Sequence, residues 1–241
     1  MDFVELLRSP DTYVSLFVLA TLEIVLGIDN IVFITILAGR LPKDRQRSAR
    51  RVGLAVALIS RLALLGAIGW VMSLEKPLFG VLGHSFSGKD LILILGGLFL
   101  LGKATHEIYE NVERPAEHDP KALQQSWDAP QSAERIRKLY VSIIVQVFVL
   151  DMVFSIDSVI TAVGMAKHVP VMAAAMVIAV GVMLTFAGPI GDFIQRHASI
   201  RVLALSFLVL IGFLLVTEGW GHTKIEKGYV YFAMGFSLVV E

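Results

Sequence analysis

The stretch Leu22-Glu23-Ile24-Val25-Leu26-Gly27-Ile28-Asp29-Asn30-Ile31-Val32 sets two acids inside an otherwise apolar run. It returns 128 residues later as Leu150-Asp151-Met152-Val153-Phe154-Ser155-Ile156-Asp157-Ser158-Val159-Ile160. Each copy has an acid, a small residue four positions on (Gly27 or Ser155), Ile-Asp, a small polar residue and then β-branched residues. A weaker echo pairs Gly97-Leu98-Phe99-Leu100-Leu101 with Gly212-Phe213-Leu214-Leu215-Val216.

Both acidic copies lie in segments fit to cross a bilayer, which takes about 20 mostly apolar residues. Tyr13–Ala38 is apolar apart from Glu23, Asp29 and Asn30, and Val141–Met165 contains Asp151 and Asp157. Val52–Met72, carrying Arg61, Leu91–Gly102, Val169–Ile190, Val202–Thr217, which ends at Glu218, and Tyr229–Val240 complete the set. The fold expected is all-α: a polytopic membrane bundle of about seven transmembrane helices in one domain, residues 1–241. Two three-helix repeats, about 13–110 and 139–220, flank a cytoplasmic linker at about 111–138, and a last helix occupies about 228–241. Three is odd, so the second repeat is inverted relative to the first, and inverted repeats place a substrate site near the midplane where they meet. The last segment is short for a span. The N-terminus lacks the basic, apolar and small-residue pattern of a signal peptide.

Composition agrees. Of 241 residues 56% are hydrophobic and 17% charged, against about 25% charged in soluble domains, and the mean hydropathy is +0.72. The formal net charge is zero, which argues against a nucleic-acid partner. With no cysteine, disulfides, iron–sulfur clusters and thiolate zinc are excluded. No nucleophile–base constellation or phosphate-binding Gly-rich loop is present, so an enzyme is not expected. Thirteen Lys and Arg fall at one set of helix ends, in 40–51, 114–138 and 196–201; six (Arg8, Lys76, Lys89, Lys167, Lys224, Lys227) fall at the other. The positive-inside rule then puts the N-terminus outside and the C-terminus in the cytoplasm. The Pro-rich, charged loop Val112–Ser132 reads as a solvated tether.

A carboxylate at mid-membrane costs about 2.5–3.5 kcal/mol, so Glu23, Asp29, Asp151 and Asp157 together cost on the order of 10–14 kcal/mol if ionised and unpaired. Arg61 and Lys103, the two cations inside helices, cannot neutralise four acids, so protons or a bound cation must supply the rest. The available donors are oxygens: the carboxylates, the Asn30 amide, and the Ser155 and Ser158 hydroxyls, a set suited to hard ions such as Mn²⁺, Mg²⁺ or Ca²⁺. The histidines lie in loops or helix ends, and Met152, Met165, Met172, Met176 and Met183 read as packing filler. At 100° per residue Glu23 shares a face with Asn30, and Asp151 with Ser158, whereas Asp29 and Asp157 fall about 120° from their partner acids. Either the helices break at Gly27 and Ser155, or each offers one acid to a central site and another elsewhere; spacing allows both.

Leu22–Val32 and Leu150–Val163 resemble the two signature segments of the TerC family of integral membrane proteins. The likeness continues through Arg50–Leu54, Asp90–Leu101, Gly191–Gly212 and Lys227–Val239. It is nearest the short, YgdQ-like branch without cytoplasmic CBS domains, within the LysE transporter superfamily. The resemblance implies seven helices with inverted three-helix repeats, location in the bacterial inner membrane, and a part in tellurium resistance or, more strongly, Mn²⁺ export. It implies metal contacts from Glu23, Asp29, Asn30, Asp151 and Asp157, with Ser158 standing where the first copy has Asn30. On this reading Asp29 and Asp157 are central ligands of a transported divalent cation, most readily Mn²⁺, with no permanently bound cofactor and with proton exchange driving export. Glu23 and Asp151 are second ligands or proton carriers; Arg61 and Lys103 balance charge in the empty site; Ser155 and Ser158 assist; Glu218 pairs with Lys103 as a gate. The competing readings are an exporter of a small organic or zwitterionic solute, and a non-transporting membrane assembly or stress-resistance factor.

Overall fold

The apolar segments become long helices because a backbone inside lipid must satisfy its own hydrogen bonds. The computed structural model describes residues 9–81, 84–113, 132–165, 169–221 and 227–240. In chain order these form α1 (Pro10–Ala38), α2 (Lys43–Gly66), α3 (Ile68–Ser73), β1 (Pro77–Val81), β2 (His84–Ser87), α4 (Gly88–Glu113), α5 (Ser132–Met165), α6 (Val169–Arg196), α7 (Ala198–Gly221) and α8 (Lys227–Val240). Most of the expected linker, residues 114–131, lies outside the described residues.

Among the described residues five helices are long and apolar enough to cross a membrane: α1, α4, α5 over Ala133–Ile160, α6 and α7. The two other expected spans differ for identifiable reasons. The Val52–Met72 segment is interrupted at Ala67, whose ψ of 26° leaves the helical region and ends α2. The helix that precedes the interruption carries Arg50, Arg51 and Arg61. The last helix, α8, has 14 residues, or about 21 Å. The all-α expectation also missed the antiparallel hairpin β1–β2 between α3 and α4. Phe86 of that hairpin is buried, with its ring centroid 5.7 Å from that of Phe79 and 5.6 Å from that of Trp220.

The basic run Lys43–Arg51, expected as loop, is the first third of α2. Side chains tie several helix ends together around it. Arg40 pairs with Glu107 at 2.7 Å and with Glu110; Ser48 meets Tyr140 at 3.2 Å; Arg50 donates to Asp192 and Arg201 to Asn111, each at 3.2 Å. We call this end the basic face and the opposite end, where β1–β2 lies, the hairpin face.

The dominant packing pairs are α4 on α7, α1 on α6, and α2 on α5 and α6. Exchanging α1, α2 and α4 for α5, α6 and α7 turns α1–α6 into α5–α2 and returns α4–α7 to itself. Where α4 and α7 cross, a Cβ on Gly97 would lie 2.6 Å from the Gly212 carbonyl oxygen, and one on Gly212 3.0 Å from that of Gly97. The two glycines of the weaker sequence echo therefore face each other. Small residues at such crossings let backbones approach closely, which is how helices gain contact in lipid. Leu93, Leu100, Ile143, Leu150, Leu205 and Leu208 are among the fully buried core residues, while Phe17, Ile59, Leu95, Phe186 and Phe213 are exposed on the outside. That inversion of a soluble surface fits a perimeter covered by acyl chains.

Candidate functional site

Arg61, on the buried stripe of α2 with Ala57 and Leu64, points into the middle of the bundle and is 2% exposed. Its guanidinium bridges two helices that bear the repeated acids. Nη1 donates to Glu23 of α1, and Nε and Nη2 each lie 3.1 Å from Oδ1 of Asp151 of α5. Asp151 collects further donors: Asn30 Nδ2 at 3.1 Å, Ser60 Oγ at 2.6 Å and Ser155 Oγ at 3.1 Å. Glu23 is treated differently. Its Oε2 takes Arg61, but its buried Oε1 has no hydrogen-bond partner among the described residues. A buried carboxylate oxygen without a partner carries the full desolvation cost of the group.

Neither acidic helix breaks: α1 runs unbroken from Pro10 to Ala38 and α5 from Ser132 to Met165. Gly27 serves close packing instead, since a Cβ there would overlap the Met183 sulfur of α6. On α5 the two acids take different partners instead. Asp151 goes to Arg61, and Asp157 goes to another cation, Lys89, whose Nζ is 3.0 Å from Asp157 Oδ1. Both members of that pair are buried. Ser158 is also buried and donates to the Ser155 carbonyl at 3.3 Å.

Helix rise gives the depths. Since α1 runs from the hairpin face to the basic face and α5 runs the other way, Asp157 lies about 9 Å nearer the hairpin face than Asp151. The Asp29 backbone lies about 9 Å nearer the basic face than that of Glu23; the Asp29 side chain is outside the described residues. Glu23, Asp151 and Asp157 thus form a ladder within the bundle, with Glu23 and Asp151 joined through Arg61 at its deeper rung. Among the described residues Glu23 and Asp151 meet in the middle of the bundle and Asp157 lies toward the hairpin face.

Lys103 does not pair with the described acids of the repeated motifs. It lies 14 residues beyond Lys89 on α4, about 21 Å toward the basic face, and pairs with Glu107 at 3.0 Å. A long apolar stem lets such a lysine carry its charge to the membrane boundary. Glu218 is at the other end of the bundle, beside Glu75, Lys89 and Asp90 around a polar cavity of about 310 Å³, so the expected Glu218–Lys103 gate is not formed. His106 is interfacial, 3.1 Å from Glu110. Met172, Met176 and Met183 are buried in apolar clusters.

Lys89 counts in the sequence only as one of the cations at the helix ends, with no partner assigned. The signal was present in Ser87-Gly88-Lys89-Asp90. Ser87 N donates to Asp90 Oδ2 at 2.8 Å and Asp90 N to Ser87 Oγ at 3.2 Å, a reciprocal cap of the Ser-x-x-acid kind. A cap at Ser87 puts Lys89 inside the first turn of α4. Among the described residues no three of His, Cys, Asp and Glu converge as metal ligands.

The family model for the integral membrane protein TerC family matches residues 8–241. A UPF0053 protein of Haemophilus influenzae is 49% identical over 237 residues, covering 98% of this chain and 94% of that one. The UPF0053 inner membrane protein YgdQ of Escherichia coli K12 is 46% identical over 235 residues, 98% of this chain and 93% of that one. The UPF0053 inner membrane protein YoaE of the same strain is 48% identical over 240 residues, 98% of this chain but 43% of that one. No solved structure matches.

Proposed function

Because this chain belongs to the TerC family of integral membrane proteins, we propose that it is an inner-membrane secondary transporter exporting a divalent cation, Mn²⁺ first, in exchange for protons. Glu23 Oε1, without a hydrogen-bond partner among the described residues and beside Arg61 and Asp151, carries the reading. It is an oxygen that can accept a proton directly, and a metal ion once Arg61 withdraws.

Charge supports it. Among the described side chains Glu23, Asp151 and Asp157 are paired with Arg61 and Lys89, and the sequence adds a fourth acid, Asp29, on α1. One divalent cation supplies the two missing positive charges; so do two protons, and alternation between those states is an antiport cycle. Arg61 now stands between the two central carboxylates, so a metal ion coordinates them only after the guanidinium withdraws. The oxygen-only donor set favours a hard ion; manganese itself comes from the family resemblance. The packing pairs that exchange under a repeat swap, and the Gly97–Gly212 crossing, support an inverted-repeat transporter. The basic face, with Arg40, Arg50, Arg51 and Arg201, is assigned to the cytoplasm by the positive-inside rule.

The test is uptake of Mn²⁺ by inside-out membrane vesicles containing wild type, Asp151→Asn or Asp157→Asn at matched abundance. Wild type is expected to load Mn²⁺ and to alkalinise the lumen, with either variant at least about tenfold slower, as for the loss of a charged ligand worth about 1.4 kcal/mol or more. Equal uptake by wild type and both variants refutes the reading.

A further inference from the structure

A lysine in the first turn of a helix is in an unfavourable position. The N-terminal end of α4 is the positive end of its dipole, where acids are favoured and cations are not. Asp90 meets that preference, and Lys89 opposes it. Lys89 also gives up water: it is 7% exposed, and its ammonium is turned inward to Asp157 rather than outward along the membrane boundary. The same side chain lines the polar cavity of about 310 Å³ on the hairpin face, with Glu75, Ser85, Ser87, Asp90 and Glu218. One residue thus touches both the cavity and the outermost described acid of the ladder.

We propose that Lys89 is a tethered competitor for the transported cation: its ammonium holds Asp157 between transport events and withdraws into the hairpin-face cavity when a cargo ion occupies the acid. The proposal rests on the cation-transport reading and specifies how its hairpin-face half is closed. The residue type fits the task. A lysine is a point charge on a flexible stem and grips a carboxylate through rotatable donors, whereas a guanidinium holds it through a fixed fork. The cavity fits as well. Six waters occupy roughly 180 Å³ at liquid density, so a hydrated divalent ion and a displaced ammonium can share the cavity. The acidic side chains around it keep the ammonium compensated after it leaves Asp157. Phe86 packs edge-on against Trp220, which fixes the hairpin to α7 beside the cavity.

The chain has no cysteine, so a single introduced thiol reports on this route. Leu93 lines the cavity one turn deeper along α4 and is fully buried. The experiment compares Leu93→Cys alone with Leu93→Cys carrying Lys89→Ala or Lys89→Gln, in membrane vesicles of both orientations. The readout is the rate of modification by a membrane-impermeant trimethylammonium methanethiosulfonate. Removing the ammonium is expected to raise the rate at least tenfold from the hairpin face, and Lys89→Arg is expected not to. Rates within twofold for both neutral variants overturn the proposal. In uptake assays, Lys89→Gln is expected to lower the apparent KM for Mn²⁺ about tenfold, because the competitor is gone, and to lower kcat. A KM equal to that of wild type at reduced abundance marks a merely structural ion pair and also overturns it. Wild-type vesicles that move no divalent cation refute the transport reading alone; the labelling ratio still scores whether Lys89 closes the route.

Discussion

Arg61→Met removes the cation shared by Glu23 and Asp151, and the structure sets the size of the loss. The guanidinium is 2% exposed and is the partner of Glu23 and one of four side chains donating to Asp151. Methionine fills the volume and tolerates an irregular site, so the loss is electrostatic rather than a cavity. Breaking a buried pair by removing one partner costs about 3–5 kcal/mol, because the remaining charge is uncompensated. For a chain of this size that is roughly 6–20 °C in the unfolding midpoint on soluble-protein scaling. The assay is thermal unfolding of detergent-purified protein, followed by loss of monodisperse protein. The decisive comparison is Arg61→Met/Glu23→Gln/Asp151→Asn. If uncompensated charge is the cause, the triple variant recovers most of the loss, since replacing a whole buried ion network by neutral groups is often harmless. An Arg61→Met midpoint within about 2 °C of wild type, or a triple variant no more stable than the single one, refutes the argument.

Substitutions at four further positions probe the packing, the buried hydrogen bonds and a helix cap. Gly97→Ala puts a methyl 2.6 Å from the Gly212 carbonyl and 2.9 Å from Val216 N, and is expected to lose about 1–3 kcal/mol by overpacking. Gly102→Ala, with nothing within 4 Å, is its control and is expected to be neutral or slightly stabilising in the same unfolding assay. Ser60→Ala deletes the 2.6 Å bond to Asp151 and is expected to lower stability by about 1–3 kcal/mol, with Ser60→Thr retaining part of it. Ser87→Ala removes the reciprocal cap with Asp90 and is expected to cost about 0.5–2 kcal/mol. Hydrogen exchange is expected to show that loss as faster amides in the first turn of α4, with those at its Glu113 end unchanged.

The acidic motifs show how far residue order reaches. An apolar run of spanning length identifies a helix wherever lipid forbids other backbone arrangements, and the 128-residue echo marks Glu23 with Asp151 and Asp29 with Asp157 as counterparts. Turn arithmetic separates the two acids of each helix by about 120°, and they do take different partners on α5. Local pattern failed where a helix is marginal: Ala67 ends α2 inside a segment whose composition continues, and a hairpin comes after it.

The sequence alone established a membrane chain with intramembrane acids, their order along each helix and their depth, because periodicity and rise are properties of one helix. Partner choice was beyond its reach. That Asp151 meets Arg61, that Asp157 meets Lys89 rather than Lys103, and that Glu23 Oε1 has no hydrogen-bond partner among the described residues depend on which helices lie side by side and at what height. Those relations come from packing between segments distant in the chain, through crossings such as Gly97 on Gly212, and no single segment's spacing contains them.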